Sequence, residues 1–110
     1  MDSSQAVSSL SALAHESRLS IFRMLVQAGP VGLPAGEIAR RLDVLPNTLS
    51  ANLNVLSHAG LLKARRAGRS IIYTADYAAM GALLAFLMED CCAGRPEICV
   101  PAQACVTACA

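Results

Sequence analysis

Charge is scarce in this sequence: of 110 residues, 15% are Asp, Glu, Lys or Arg and 55% are apolar. That balance excludes a disordered, self-repelling tail and leaves enough apolar side chain for a core. Long apolar runs are lacking too. The longest uncharged apolar stretch, Tyr77 to Met88, is too short to cross a bilayer, so no membrane partner is expected. The opening MDSSQAVSS has neither the basic region nor the apolar region of a signal peptide, so a cytoplasmic protein is expected. There is no internal repeat, no low-complexity linker and no room for a second domain. Enzyme motifs are missing as well. There is no C-x-x-C, no C-x5-R phosphate loop and no His-plus-carboxylate set beside the thiols, which argues against a thiol oxidoreductase or any other enzyme.

What is present is unevenly placed. Net charge is +1, yet residues 38–74 hold six cations (Arg40, Arg41, Lys63, Arg65, Arg66, Arg69) against the single anion Asp43. Such a segment in a nearly neutral chain fits a local contact with a polyanion; it also fits an ordinary solvated face. All five cysteines (Cys91, Cys92, Cys99, Cys105, Cys109) lie in the last twenty residues. A secreted disulfide scaffold would spread an even number along the chain, so metal binding, thiol chemistry or no role at all are the readings left.

Periodicity predicts five helices and a hairpin. Ser3–Ala14 is a short helix capped by Ser3 or Ser4, with Ala6, Leu10 and Leu13 on one face. Glu16–Ala28 carries the stripe Leu19, Phe22, Leu25, Val26 and stops at Gly29-Pro30. Gly32-Leu33-Pro34 breaks the chain, and Pro34–Leu42 suits a third helix with Glu37 near its positive end. After the turn Asp43-Val44-Leu45, a fourth helix runs from Pro46 or Asn47 to Ala59, with Gly60 as terminator. Its apolar line is Leu49, Leu53 and Leu56; the other side shows Asn47, Thr48, Ser50, Ala51 and Asn54. Leu61–Ala67 and Ser70–Ala75 read as strands around a turn at Gly68. Asp76 to about Cys91 is a last helix, apolar nearly all round, which needs cover on two sides and so points to a second copy of the chain.

The fold class expected is therefore mainly α with a β-hairpin: a winged helix-turn-helix in residues 1–92, followed by a cysteine-containing tail, 93–110. The fourth helix would enter the major groove of double-stranded DNA with Asn47, Thr48, Ser50, Ala51 and Asn54 toward the bases. Arg65, Arg66 and Arg69 would meet phosphates or the minor groove. His15 and His58 stand alone and read as surface or capping residues; Met24, Met80 and Met88 read as packing.

Residues 9–74 resemble the ArsR/SmtB family of metal- and metalloid-responsive repressors, through GEIARRL (36–42), NTLSANLNVLSHAGLL (47–62) and ARRAGRSIIY (64–73). The resemblance implies a homodimer, joined through its N- and C-terminal helices, that binds a palindromic operator and releases it on binding an inducer. Two family sensing sites are absent. Pro34-Ala35-Gly36 stands where many arsenite sensors carry C-V-C, and Tyr77–Met88 lacks the Asp and His pairs of the zinc sensors. Ala51-Asn52 replaces a common Arg-His pair, which changes the operator expected.

The run CCAGRPEIC (91–99) resembles the arsenite-responsive members with thiols at the end of the last helix. Trivalent arsenic is soft and takes three thiolates in a pyramid, which Cys91, Cys92 and Cys99 could supply once Gly94 and Pro96 turn the chain. Glu89, Asp90 and Glu97 disfavour thiolates, which disadvantages divalent metals. Arsenous acid condenses with three thiols and releases water without net proton loss. Arsenite or antimonite is thus the expected inducer. Cadmium, lead or thiol oxidation is the alternative: a Cys91–Cys92 bridge is strained, because adjacent Cα atoms lie about 3.8 Å apart, whereas Cys92–Cys99 is feasible.

Overall fold

Asp2, rather than Ser3 or Ser4, opens the first helix. Its carboxylate accepts from the Gln5 amide at 2.8 Å while the Gln5 side chain accepts from the Asp2 amide, a reciprocal cap that starts α1 at Ser3–Leu13. The computed structural model describes residues 1–88. All five cysteines and the tail 93–110 lie outside the described residues; the final helix, expected to reach about Cys91, ends at Leu87 with Met88 as its cap.

The remaining order is α2 (Glu16–Ala28), a 3-10 turn (Gly29–Val31), β1 (Leu33–Pro34), α3 (Ala35–Leu42), α4 (Pro46–His58), β2 (Leu62–Ala67), β3 (Ser70–Ala75) and α5 (Tyr77–Leu87). β2 and β3 form the expected antiparallel hairpin, in the register Leu62 to Ala75 through Ala67 to Ser70. The segment read as a simple chain break is instead a third strand. Leu33 and Pro34 pair antiparallel with Tyr73 and Ile72, giving the order β1-β3-β2. The proline is tolerated because β1 is an edge strand.

The core centres on Ile21, Leu25, Ile38, Leu49, Leu53, Leu56 and Leu61, all nearly inaccessible. It joins α2, α3 and α4 to the base of the hairpin. The line Leu49, Leu53, Leu56 is buried as its spacing predicts. Two other stripes are displaced. In α2 it is Ile21, Phe22 and Leu25 that are buried, while Leu19 is 43% exposed. In α1 the inward face is Ala6, Ser9 and Ala12, leaving Val7 61% and Leu10 41% exposed.

α5 starts at Asp76, whose side chain accepts from the Ala79 amide. The Asp76 amide donates to the Leu61 carbonyl at 2.8 Å, and Tyr77 Oη donates to the Val26 carbonyl at 3.0 Å. The helix is therefore anchored at its first turn. Only Leu83 of α5 is buried; Tyr77 and Leu87 stay exposed. No helix among the described residues is long and apolar enough to cross a membrane.

Candidate nucleic-acid interface

Local chemistry aims α4. Asp43 ends α3 in the left-handed conformation, φ +53°, which Asp tolerates better than most residues. The Val44 amide donates to the Ala39 carbonyl at 3.2 Å and closes the turn. Pro46 then occupies the first turn of α4, where its missing amide hydrogen costs nothing. No side chain caps this helix, so its positive end is open to solvent.

Asn47, Thr48, Ser50, Ala51 and Asn54 are all exposed, on the side of α4 opposite the core. On a helix advancing roughly 100° per residue, Asn47, Ala51 and Asn54 form the middle of that side, with Ser50 and Thr48 flanking. Asn54 lies furthest from the open end and lines a surface groove with Ser8 and Ser11 of α1, Arg18 of α2, and His58. His15 and His58 are exposed, and among the described residues no group of three or more His, Cys, Asp or Glu could hold a metal ion.

The cations divide into two sets. Arg40 and Arg41 both reach Glu37, Arg41 Nε at 2.9 Å from Oε1. Hydrogen bonds from Arg40 and then Arg41 hold the Glu37 carboxyl below the usual range, and Glu37 in turn raises Arg40. Glu37, just before the basic segment, thus offsets one of the two positive charges of α3 and engages both guanidiniums. The free positive charge sits on the hairpin, where Lys63, Arg65, Arg66 and Arg69 are exposed. Arg65 reaches across β3, and its Nη2 donates to the Val31 carbonyl at 3.0 Å, bracing the wing. Among the described residues no hydrogen bond or salt bridge engages the side chain of Arg66 or Arg69, and the latter follows the Gly68 turn, φ +63°.

One support of the interface gave no sign in the sequence. Arg18 Nε donates to the Ala12 carbonyl at 2.6 Å, and its Nη1 reaches Asn52 Oδ1 at 3.5 Å. Asn52 is 8% exposed, a polar residue turned into the packed side of α4. Arg18 therefore satisfies the end of α1 and holds the recognition helix at once. Its partners are remote in the chain, and alone it reads as a surface charge. Arg18→Ala leaves both oxygens unpaired; the expected loss is about 1–3 kcal/mol, measured as a lower urea midpoint at unchanged m value.

A recognition helix with an uncharged polar outer side, followed by a three-stranded basic wing, defines the architecture. Residues 13–65 match a family described as a helix-turn-helix domain. The transcriptional activator HlyU of Vibrio cholerae is 32% identical over 91 residues, covering 83% of this chain and 82% of that protein. The HlyU structure covers 82% of this chain and 95% of its own, with TM-score 0.66; a structure of reduced HlyU matches at 30% identity and TM-score 0.64. The homodimeric winged helix-turn-helix domain Mb0332 of Mycobacterium bovis, a possible ArsR-family regulator, is 31% identical with TM-score 0.63, covering 79% of this chain and 81% of that one.

The chain belongs to the ArsR/SmtB family of winged helix-turn-helix transcriptional regulators.

Members of this family are transcriptional regulators and not enzymes. A possible transcriptional regulator for arsenical resistance, 25% identical, covers 72% of this chain and 79% of its own with TM-score 0.64. The exposed apolar residues of α1 and of α5 lie outside the core that the helix-turn-helix and wing share.

Proposed function

We propose that this ArsR/SmtB-family protein is a cytoplasmic repressor that binds a palindromic operator as a homodimer and releases it when trivalent arsenic binds Cys91, Cys92 and Cys99. The observation that carries the DNA-binding reading is the uncharged outer side of α4 beside a wing with unpaired Arg66 and Arg69. Asn47, Thr48, Ser50, Ala51 and Asn54 approach the bases, and Arg65, Arg66 and Arg69 the backbone or minor groove. Val7, Leu10, Tyr77 and Leu87 support a homodimer through α1 and α5: each is a large side chain left exposed on a terminal helix. The homodimeric Mb0332 domain supports the same assembly.

The inducer reading rests on CCAGRPEIC, three thiols within nine residues, beginning four residues after α5 ends at Leu87. The relative linked to arsenical resistance supports it. Consecutive side chains of an ideal helix point roughly 100° apart. Gathering Cys91 and Cys92 on one arsenic atom therefore requires non-helical geometry there. A change at that position bears on α5 and so on the spacing of two recognition helices, which must sit about one DNA turn, roughly 34 Å, apart to bind. The inducer acts only by binding the DNA-free form more tightly.

Fluorescence anisotropy of labelled operator duplex, titrated with arsenite, antimonite, cadmium and peroxide, tests this. Arsenite is expected to weaken binding by roughly 5- to 150-fold, the ordinary size of an allosteric coupling. Serine at Cys91, Cys92 or Cys99 is expected to keep operator affinity and remove that response. Single serine variants that respond like the parent would show the site misassigned. A second reading, sensing of thiol oxidation through Cys92 and Cys99, is supported by a similar structure described as reduced HlyU. It predicts release by peroxide and recovery with a thiol reductant. Release by cadmium alone would instead indicate a divalent-metal sensor.

A further inference from the structure

Among the side chains that α4 offers to a major groove, those that discriminate between bases favour adenine and thymine. From Pro46 to His58 the helix contains no Arg, Lys, Gln, Asp or Glu. Guanine is most often recognised by Arg or Lys at O6 and N7, and cytosine by a carboxylate accepting from N4. Adenine is recognised by Asn or Gln paired to N6 and N7, and thymine by apolar contact with its C5 methyl. Three asparagines occur in α4. Asn52 is buried with its amide oxygen held by Arg18, so it is not available to DNA. Asn47 is exposed in the first turn, one turn from exposed Ala51 on the same line. Directly before the helix stands Leu45, 74% exposed at the turn that leads into it. A large apolar side chain uncovered at that point is costly in water and suits a methyl group at the groove floor.

Resting on the reading that the chain is a sequence-specific DNA-binding regulator, we infer that each recognition helix reads A·T pairs, with Asn47 on adenine and Leu45 and Ala51 on thymine methyls. Thr48 and Ser50 are compatible with either pair and set no preference.

The test is selection by the full chain, reduced and free of arsenite, from a pool of duplexes with a randomised centre. The enriched half-sites should be A·T at the contacted positions. Uracil in place of thymine removes only the C5 methyl, and should weaken binding to the selected duplex by several-fold. Asn47→Ala should abolish discrimination at one position of each half-site, where the parent loses roughly 5- to 150-fold on a wrong pair, and should leave discrimination elsewhere intact. A merely structural role for Asn47 would lower all affinities together. Enrichment of G·C at the contacted positions, or indifference to uracil, overturns the inference while leaving a DNA-binding regulator. A pool with no enrichment overturns both.

Discussion

Removing Arg66 and Arg69 together, as R66A/R69A, should flatten the salt dependence of DNA binding more than any other double substitution of cations. Each phosphate neutralised contributes about −0.9 to the slope of log affinity against log salt. A homodimer loses four such charges, so the slope should become shallower by up to about 3–4 units. Affinity should fall for all sequences nearly alike, because backbone contacts place the protein without reading bases. The control is R40A/R41A. Those two guanidiniums already share Glu37, which competes with phosphate for them, so their effect on the slope should be smaller per charge removed. Equal slopes for the two double variants would show that the wing is not the phosphate-binding element.

The largest loss of stability expected from a single methyl group is at Gly32. This residue has φ +71° and leads into β1. A Cβ there would press on the Tyr73 carbonyl oxygen and lie 2.6 Å from Thr74 Cγ2. Neither neighbour yields easily, since one is backbone and the other belongs to the central strand β3. Left-handed strain of about 1–2 kcal/mol adds to overpacking of about 1–3 kcal/mol. Gly32→Ala should therefore cost about 2–5 kcal/mol, a large part of a small domain's stability. Gly60→Ala and Gly68→Ala are the controls. Both positions have positive φ but open space around them, so they should pay only the backbone strain. Urea unfolding of the three variants separates the two effects. Amide exchange at Ile72–Thr74 should rise sharply only for Gly32→Ala if β1 holds the wing.

Both predictions turn on features that differ in how legible they were. The E-x-x-R-R spacing of Glu37, Arg40 and Arg41 is visible in the sequence, as an i,i+3 and i,i+4 set on a helix. Counting charge from residue 38 leaves Glu37 out and overstates the cationic surface of α3. β1 is different in kind. A two-residue strand has no periodicity, and it exists only because β3, far along the chain, offers an edge to pair with. The same holds for the clash that makes Gly32 obligatory. Arg18 and Asn52 likewise meet only through the packing of α2 on α4.

The helix-turn-helix, the hairpin and the outer side of α4 follow from local order along the chain. Their signals are local: Pro46 and Gly60 bound the helix, Leu49, Leu53 and Leu56 orient it, and Gly68 turns the hairpin. The number and spacing of the thiols on which the arsenic reading rests are likewise legible along the chain. Tertiary structure alone decided which face of α1 is buried, which cations remain free, and how the wing is tied to the rest. A weakly amphipathic helix such as α1 has no preferred face until a neighbour of definite shape approaches. There the small residues Ala6, Ser9 and Ala12 face inward against the neighbouring helices, and Val7 and Leu10 face outward.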